Sequence, residues 1–170
     1  LEIGVELQDV YLAQARLKGK GEALLFDPGA HDNLTGDEWV ERHRKICDRL
    51  GVEIVFTRRG TPTIVGGVGK GVETCDTHIS APICMPGNYT TSYNALVVPN
   101  SSIPALLGNK WLMKNRALVD LSTGMLMFLG PGDAKVLAPP GAITMQMQVS
   151  DSGHWMIPVS EFEKKSASSS

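Results

Sequence analysis

Asp27 is the residue best suited to chemistry in this chain. It ends the apolar run Ala23-Leu24-Leu25-Phe26 and is followed at once by Pro28-Gly29-Ala30. Pro fixes φ and Gly permits a tight bend, so the pattern puts a carboxylate where a buried strand turns. An isolated Asp-Pro-Gly is more commonly a turn acid that accepts hydrogen bonds from its own N–H groups. A carboxylate at the end of an apolar strand is unusual.

Other chemistry-bearing patterns lead nowhere comparable. Gly69-Lys70 has the Gly-Lys of a phosphate loop, but Gly71 stands where a magnesium-binding Ser or Thr is required and Ile64 where the leading Gly belongs. A dinucleotide fingerprint through Gly67 and Gly69 lacks its third Gly, at Val72. His31, His43, His78 and His154 are scattered without helix spacing, and Cys47, Cys75 and Cys84 form no Cys-x-x-Cys pair, so no metal site is expected. No Gly-x-Ser-x-Gly elbow supports a serine nucleophile.

The elements that must position Asp27 follow from patterning. Eighteen Gly, ten Pro and 6% aromatics in 170 residues describe a mainly β chain with many turns. Val10 and Leu12, the basic turn Lys18-Gly19-Lys20-Gly21 and the run ending at Asp27 read as a hairpin. One helix is expected from about Thr35 to Leu50. It opens with the capping-box pattern Thr35-Gly36-Asp37-Glu38, and Trp39, Val40, His43, Ile46, Cys47 and Leu50 share one face.

Val52 to Phe56 then reads as a strand and Arg58 to Pro62 as a turn. Thr63 to Cys75 reads as a β-hairpin whose tip is glycine-rich. Strands are expected at Thr77–Cys84, Ala95–Val98 and on either side of Ser122-Thr123-Gly124, with a short helix at Asn109–Lys114. Past Gly130, Ile143, Met145, Met147 and Val149 alternate with polar residues, predicting a half-buried strand. The turn Asp151-Ser152-Gly153 then leads to a partner at Trp155–Val159, and Lys164–Ser170 reads as a polar, disordered tail.

Charge and hydropathy narrow the partners. Sixteen Lys plus Arg against eighteen Asp plus Glu give a formal charge of −2, and the basic residues Arg42, Arg44, Lys45 and Arg49 are interleaved with acids, so no nucleic-acid surface is expected. No apolar run approaches a bilayer span, and no membrane partner is expected. The chain opens Leu1-Glu2-Ile3 with neither Met nor an apolar leader, as expected of a piece cut from a longer chain in a reducing, cytoplasmic setting.

Taken together, these segments resemble the retropepsin-like aspartic proteases of retroviral and retrotransposon polyproteins. Ala23-Leu24-Leu25-Phe26-Asp27-Pro28-Gly29-Ala30-His31-Asp32 is similar to the family's catalytic strand, Gly66-Gly67-Val68-Gly69-Lys70-Gly71 to its flap, and Ala105-Leu106-Leu107-Gly108-Asn109 to the apolar pair and Gly behind the catalytic loop. The resemblance implies a single-lobed, retropepsin-like closed β-barrel over residues 1–130. It carries one inserted amphipathic helix, a C-terminal β-hairpin extension at 131–160 and the tail at 161–170.

It further implies a homodimer in which two copies of Asp27 face each other and share a proton, one acting as base toward water and the other as acid toward the peptide carbonyl, with no cofactor. Pro28, Gly29 and Ala30 would form the active-site loop. His31, Asp32, Gly67, Val68, Gly69 and Lys70 would contact a peptide or polyprotein substrate, and Leu106, Leu107 and Gly108 would support the loop. Pro28 occupies the family's Thr/Ser position and brings neither hydroxyl nor N–H. A dimerisation or peptide-binding module without turnover is the alternative reading, and an unrelated β-rich structural domain is a third.

Overall fold

The apolar run before Asp27 forms strand β1 (Leu24–Asp27). Its partner is β6 (Ala105–Gly108), aligned in parallel with Leu24 opposite Ala105 and Asp27 opposite Gly108. The computed structural model describes residues 15–17, 19, 21–66 and 71–160, and these are mainly β. Between the paired strands lie β2 (Leu34–Gly36), helix α1 (Asp37–Leu50), β3 (Val55–Gly66), β4 (Val72–Met85) and β5 (Tyr89–Val98). After them come α2 (Asn109–Lys114), the hairpin β7 (Ala117–Asp120) and β8 (Met125–Phe128), and a small hairpin of β9 (Gln148–Val149) and β10 (Trp155–Met156).

Six strands make one sheet in the order β1-β6-β2-β5-β4-β3. β2 is its pivot, parallel to β5 and antiparallel to β6, with Leu34 opposite both Leu96 and Leu106. β1 and β3 are the outer strands, and no described pairing joins them, so the sheet is open where the resemblance implies closure.

Both faces of the central strands are covered, which explains why Ala95, Leu96, Val97 and Val98 are all buried instead of alternating. Ala95 and Val97 pack with Ile79, Ala81 and Leu107 against Trp39, Val40 and Cys47 of α1. Leu96 and Val98 face the other way, with Cys75, Leu34, Val65 and Ile103. Each such aliphatic contributes about 1.5–3 kcal/mol on burial. Tyr93 crosses the core, its hydroxyl within reach of the Leu106 carbonyl at 2.8 Å and the Leu34 carbonyl at 3.1 Å, so one phenol ties β5 to both β2 and β6.

α1 also fastens the segment that feeds β1. Trp39 Nε1 donates to the Ala23 carbonyl at 3.1 Å, and Arg42 grips the Glu22 carboxylate at 2.7 and 3.4 Å. The expected capping box does not form. The helix begins at Asp37, Thr35 lies in β2, and Asp37 instead accepts the backbone N–H groups of Asn100 and Ser101 at 2.7 and 2.9 Å. Leu50, expected on the packed face, is the last residue of the helix and is 71% exposed.

Other expectations shift for local reasons. β3 starts at Val55 and runs through the expected Arg58–Pro62 turn, whose Gly60 and Pro62 fall in a register irregularity between Arg58 and Thr63. An outer strand tolerates this, since one of its edges makes no ladder bonds. The expected strand from Ile143 is reduced to Gln148–Val149 and its partner to Trp155–Met156. Ile143 and Met145 are exposed, there being no sheet face for the alternation to pack against. Val10, Leu12, Lys18, Lys20, the hairpin tip at 67–70 and the tail at 161–170 lie outside the described residues. No helix among the described residues is long and apolar enough to cross a membrane.

Candidate functional site

Asp27 opens onto a cleft of about 930 Å³. The loop Gly29–Asn33 and Leu106 line it on one side and Arg59, Thr63, Ile64, Val65 and Gly66 of β3 on another, with His78, Leu96, Lys110 and Trp111 completing the wall. Leu106 and Leu107 point oppositely, as neighbours in a strand must: Leu106 borders the cleft while Leu107 lies in the core beside Phe26.

The turn after β1 is built around the acid itself. Gly29 N–H donates to Asp27 Oδ1 at 3.0 Å and Ala30 N–H to the same oxygen at 3.2 Å, while Ala30 N–H also closes on the Asp27 carbonyl at 3.1 Å. This is the turn-acid geometry that Asp-Pro-Gly favours, and it engages one carboxylate oxygen. No described residue bonds Oδ2.

β6 and α2 hold the remainder of the loop. Asn109 N–H donates to the Ala30 carbonyl at 2.7 Å, Lys110 N–H to the His31 carbonyl at 3.0 Å, and Gly108 N–H to Asn33 Oδ1 at 2.8 Å. A methyl group at Gly108 would stand 2.6 Å from the Asp32 carbonyl, closer than any side chain tolerates, so the loop can lie against β6 only because this residue is Gly. Asn33 is a cleft residue that sequence reasoning missed. Asn33 spans the site by donating from Nδ2 to the Asn94 carbonyl at 3.0 Å, and an Asn following the acidic turn is the one signal pointing to it.

The expected glycine hairpin exists in its arms. Thr63 to Gly66 pair with Cys75 to Val72, and the β3 arm borders the cleft. Gly67, Val68, Gly69 and Lys70 lie outside the described residues. His31 and Asp32 are exposed at the cleft edge, where Lys110 Nζ stands 3.4 Å from Asp32. His78 is one of the four scattered histidines, and the sequence assigns it no role. It lines the cleft with its Nε2 buried and without a partner among the described residues, and burial, reinforced by Arg59, pushes its pKa down against the smaller opposing pull of Asp32.

Asp76 and Asp120 do not line the cleft. Asp76 is held below the usual carboxylate range by hydrogen bonds from Arg58 and Thr77, and Asp120 by those from Ser122 and Thr123 in the β7–β8 turn. Burial raises the Cys47 and Cys75 thiols. Among the described residues, no group of three or more His, Cys, Asp or Glu is arranged to hold a metal ion.

No family model and no curated protein matches the chain. Among solved structures it is similar to the crystal structure of the retroviral protease-like domain of Ddi1 from Leishmania major. The two are 17% identical with a TM-score of 0.40, over 62% of this chain and 77% of that one.

Proposed function

We propose that the protein is an aspartic endopeptidase of the retropepsin type, acting as a homodimer and processing a polyprotein. The observation that carries this reading is Asp27 at the end of β1, one oxygen fixed by the turn and the residue bordering a cleft walled on one side by the β3 arm of a glycine hairpin. A single described chain brings no second acid of that kind to the cleft, so the partner carboxylate would be Asp27 of another copy.

Two carboxylates at close range cannot both stay charged, so the pair would hold one proton between them. The ionised member removes a proton from water as the water oxygen bonds to the peptide carbonyl carbon, and the protonated member gives its proton to the carbonyl oxygen. As the tetrahedral gem-diol collapses and its C–N bond breaks, the carboxyl protonated by water gives that proton to the leaving nitrogen, and the other carboxylate takes the proton of one hydroxyl as the C=O bond re-forms, so the pair again holds one proton. His31 and Asp32 would meet the peptide backbone, and residues 67–70 would close over it and exclude water.

The test is cleavage of a randomised peptide library, read by mass spectrometry, with wild type and Asp27→Asn. Asn keeps Oδ1 for the Gly29 and Ala30 N–H groups but cannot hold or deliver the proton, so cleavage should fall by about 10²–10⁴-fold with the fold retained. Specific activity should also rise with protein concentration. Equal cleavage by both proteins, or by neither, rejects the assignment. Pro28 favours the second reading, a dimerisation or peptide-binding module without turnover, since it offers no hydroxyl or N–H to lock two loops together.

A further inference from the structure

The C-terminal hairpin reaches back onto the loop that carries Asp27. Gly153 and His154, in the turn between β9 and β10, touch that loop and its support at three points: His154 Nε2 lies 2.7 Å from the Gly29 carbonyl, Asn109 Nδ2 donates to the Gly153 carbonyl at 2.8 Å, and the Gly153 backbone lies against the His31 ring. Gly153 has φ of +82°, a conformation that favours glycine, and a methyl group there would stand 2.5 Å from His31 Nδ1, so any side chain at this position would have to displace the His31 ring. Resting on the reading of Asp27 as the reacting acid, we propose that this hairpin is a brace for the Asp27 loop and that His154 is a positioning residue acting through the Gly29–Ala30 peptide.

The accounting of carbonyls supports it. Of the first three that follow Pro28, Ala30 and His31 accept from the backbone of α2, while Gly29 accepts from His154 alone among the described residues. A carbonyl only accepts, so Nε2 carries the proton. The ring is oriented in turn: His154 N–H donates to Ser150 Oγ at 3.1 Å, Ser150 and Ser152 hydroxyls meet at 2.9 Å, and Ser152 Oγ lies 2.8 Å from His154 Nδ1. With Nε2 as donor, the neutral ring's Nδ1 accepts from Ser152. Ser152 accepts from Ser150 and Ser150 from the backbone, so every hydroxyl proton is used.

The brace reaches the acid through one rigid unit. The Gly29 carbonyl and the Ala30 N–H belong to the same planar peptide. His154 holds one side of that plane, and Asp27 Oδ1 accepts from the other. Fixing the plane therefore fixes the donor that aims the carboxylate. Pro28, lacking an N–H, contributes no such anchor, which leaves this task to a residue outside the motif.

The test compares wild type, His154→Ala and His154→Gln as full chains. It uses the library peptide that wild type cleaves fastest, together with amide exchange at Ala30 by NMR. Losing a positioned hydrogen bond should lower kcat about tenfold with KM within about twofold, and should speed Ala30 exchange about tenfold. Gln, whose amide can still donate to Gly29, should recover most of both. Unchanged kcat and exchange in His154→Ala overturn the proposal, as does a gain in kcat, which would make the hairpin an inhibitor. If wild type cleaves nothing, the endopeptidase reading fails, and Ala30 exchange alone decides the brace: unchanged exchange rejects it.

Discussion

Asp27 and Gly108 stand opposite each other in the parallel pairing of β1 with β6, and the loop leaving Asp27 folds back so closely that the Asp32 carbonyl fills the space a Gly108 side chain would need. The end of one strand thus sets the course of the other's loop. Gly108→Ala should push Asp32 and the loop away from β6. We expect it to destabilise the fold by about 1–3 kcal/mol, as overpacking does, and to reduce peptide cleavage more than that loss of folded protein explains. Urea unfolding paired with activity per folded molecule checks both.

Tyr93 makes a separate prediction about the frame. Its buried hydroxyl serves the carbonyls of Leu34 and Leu106, the two residues that face each other where β2 meets β6, and burial pushes the phenol well above its ordinary pKa. Tyr93→Phe removes the donor that serves two carbonyls, the Leu106 one in a buried bond, at a cost of about 1–3 kcal/mol. A urea midpoint unchanged from wild type would contradict this role.

His78 gives the fold a defined pH response. Burial lowers its pKa in the native state, so below its ordinary value of 6.5 the unfolded chain binds a proton that the folded chain resists. The stabilisation is therefore fully present above pH 6.5 and is lost as pH falls through the depressed native value. The melting temperature should drop between pH 7 and pH 5, and the slope should be shallower in His78→Gln. Asp76 and Asp120, also held low, act only below the ordinary aspartate value of 3.8, so they leave that window unaffected.

Pro28 separates the two functional readings. If the loop is already braced, Pro28→Thr should leave kcat within about threefold of wild type, because a new hydroxyl adds little to a preorganised turn. It should cost about 0.4–1 kcal/mol of stability, since proline restricts the unfolded chain. A hundredfold gain in cleavage would instead mark the natural protein as a decayed enzyme.

Much of the site was legible because it is local. A run of apolar residues ending in Asp-Pro-Gly specifies a strand and a turn whose N–H groups bond the acid, whatever lies elsewhere in the chain. The same holds for α2, for the arms of the glycine hairpin and for the β7–β8 turn. Thr35 shows where local reasoning fails: its capping pattern is sound, yet pairing with β5 draws it into β2, and tertiary contacts override the preference. Arg58–Pro62 fails likewise, since pairing with β4 carries the strand through residues that alone favour a bend.

The sequence by itself determined the mainly β character, the helix and the turn that places Asp27 at the end of β1, because these depend on residue types only a few positions apart. The tertiary structure decided which distant residues meet. It laid Gly108 against the Asp32 backbone, gave Asn33 the Gly108 N–H, and brought His154 to Gly29, 125 residues away. Such contacts arise from burial and sheet pairing, whose periodicity says which face of an element is covered but not which distant residue covers it.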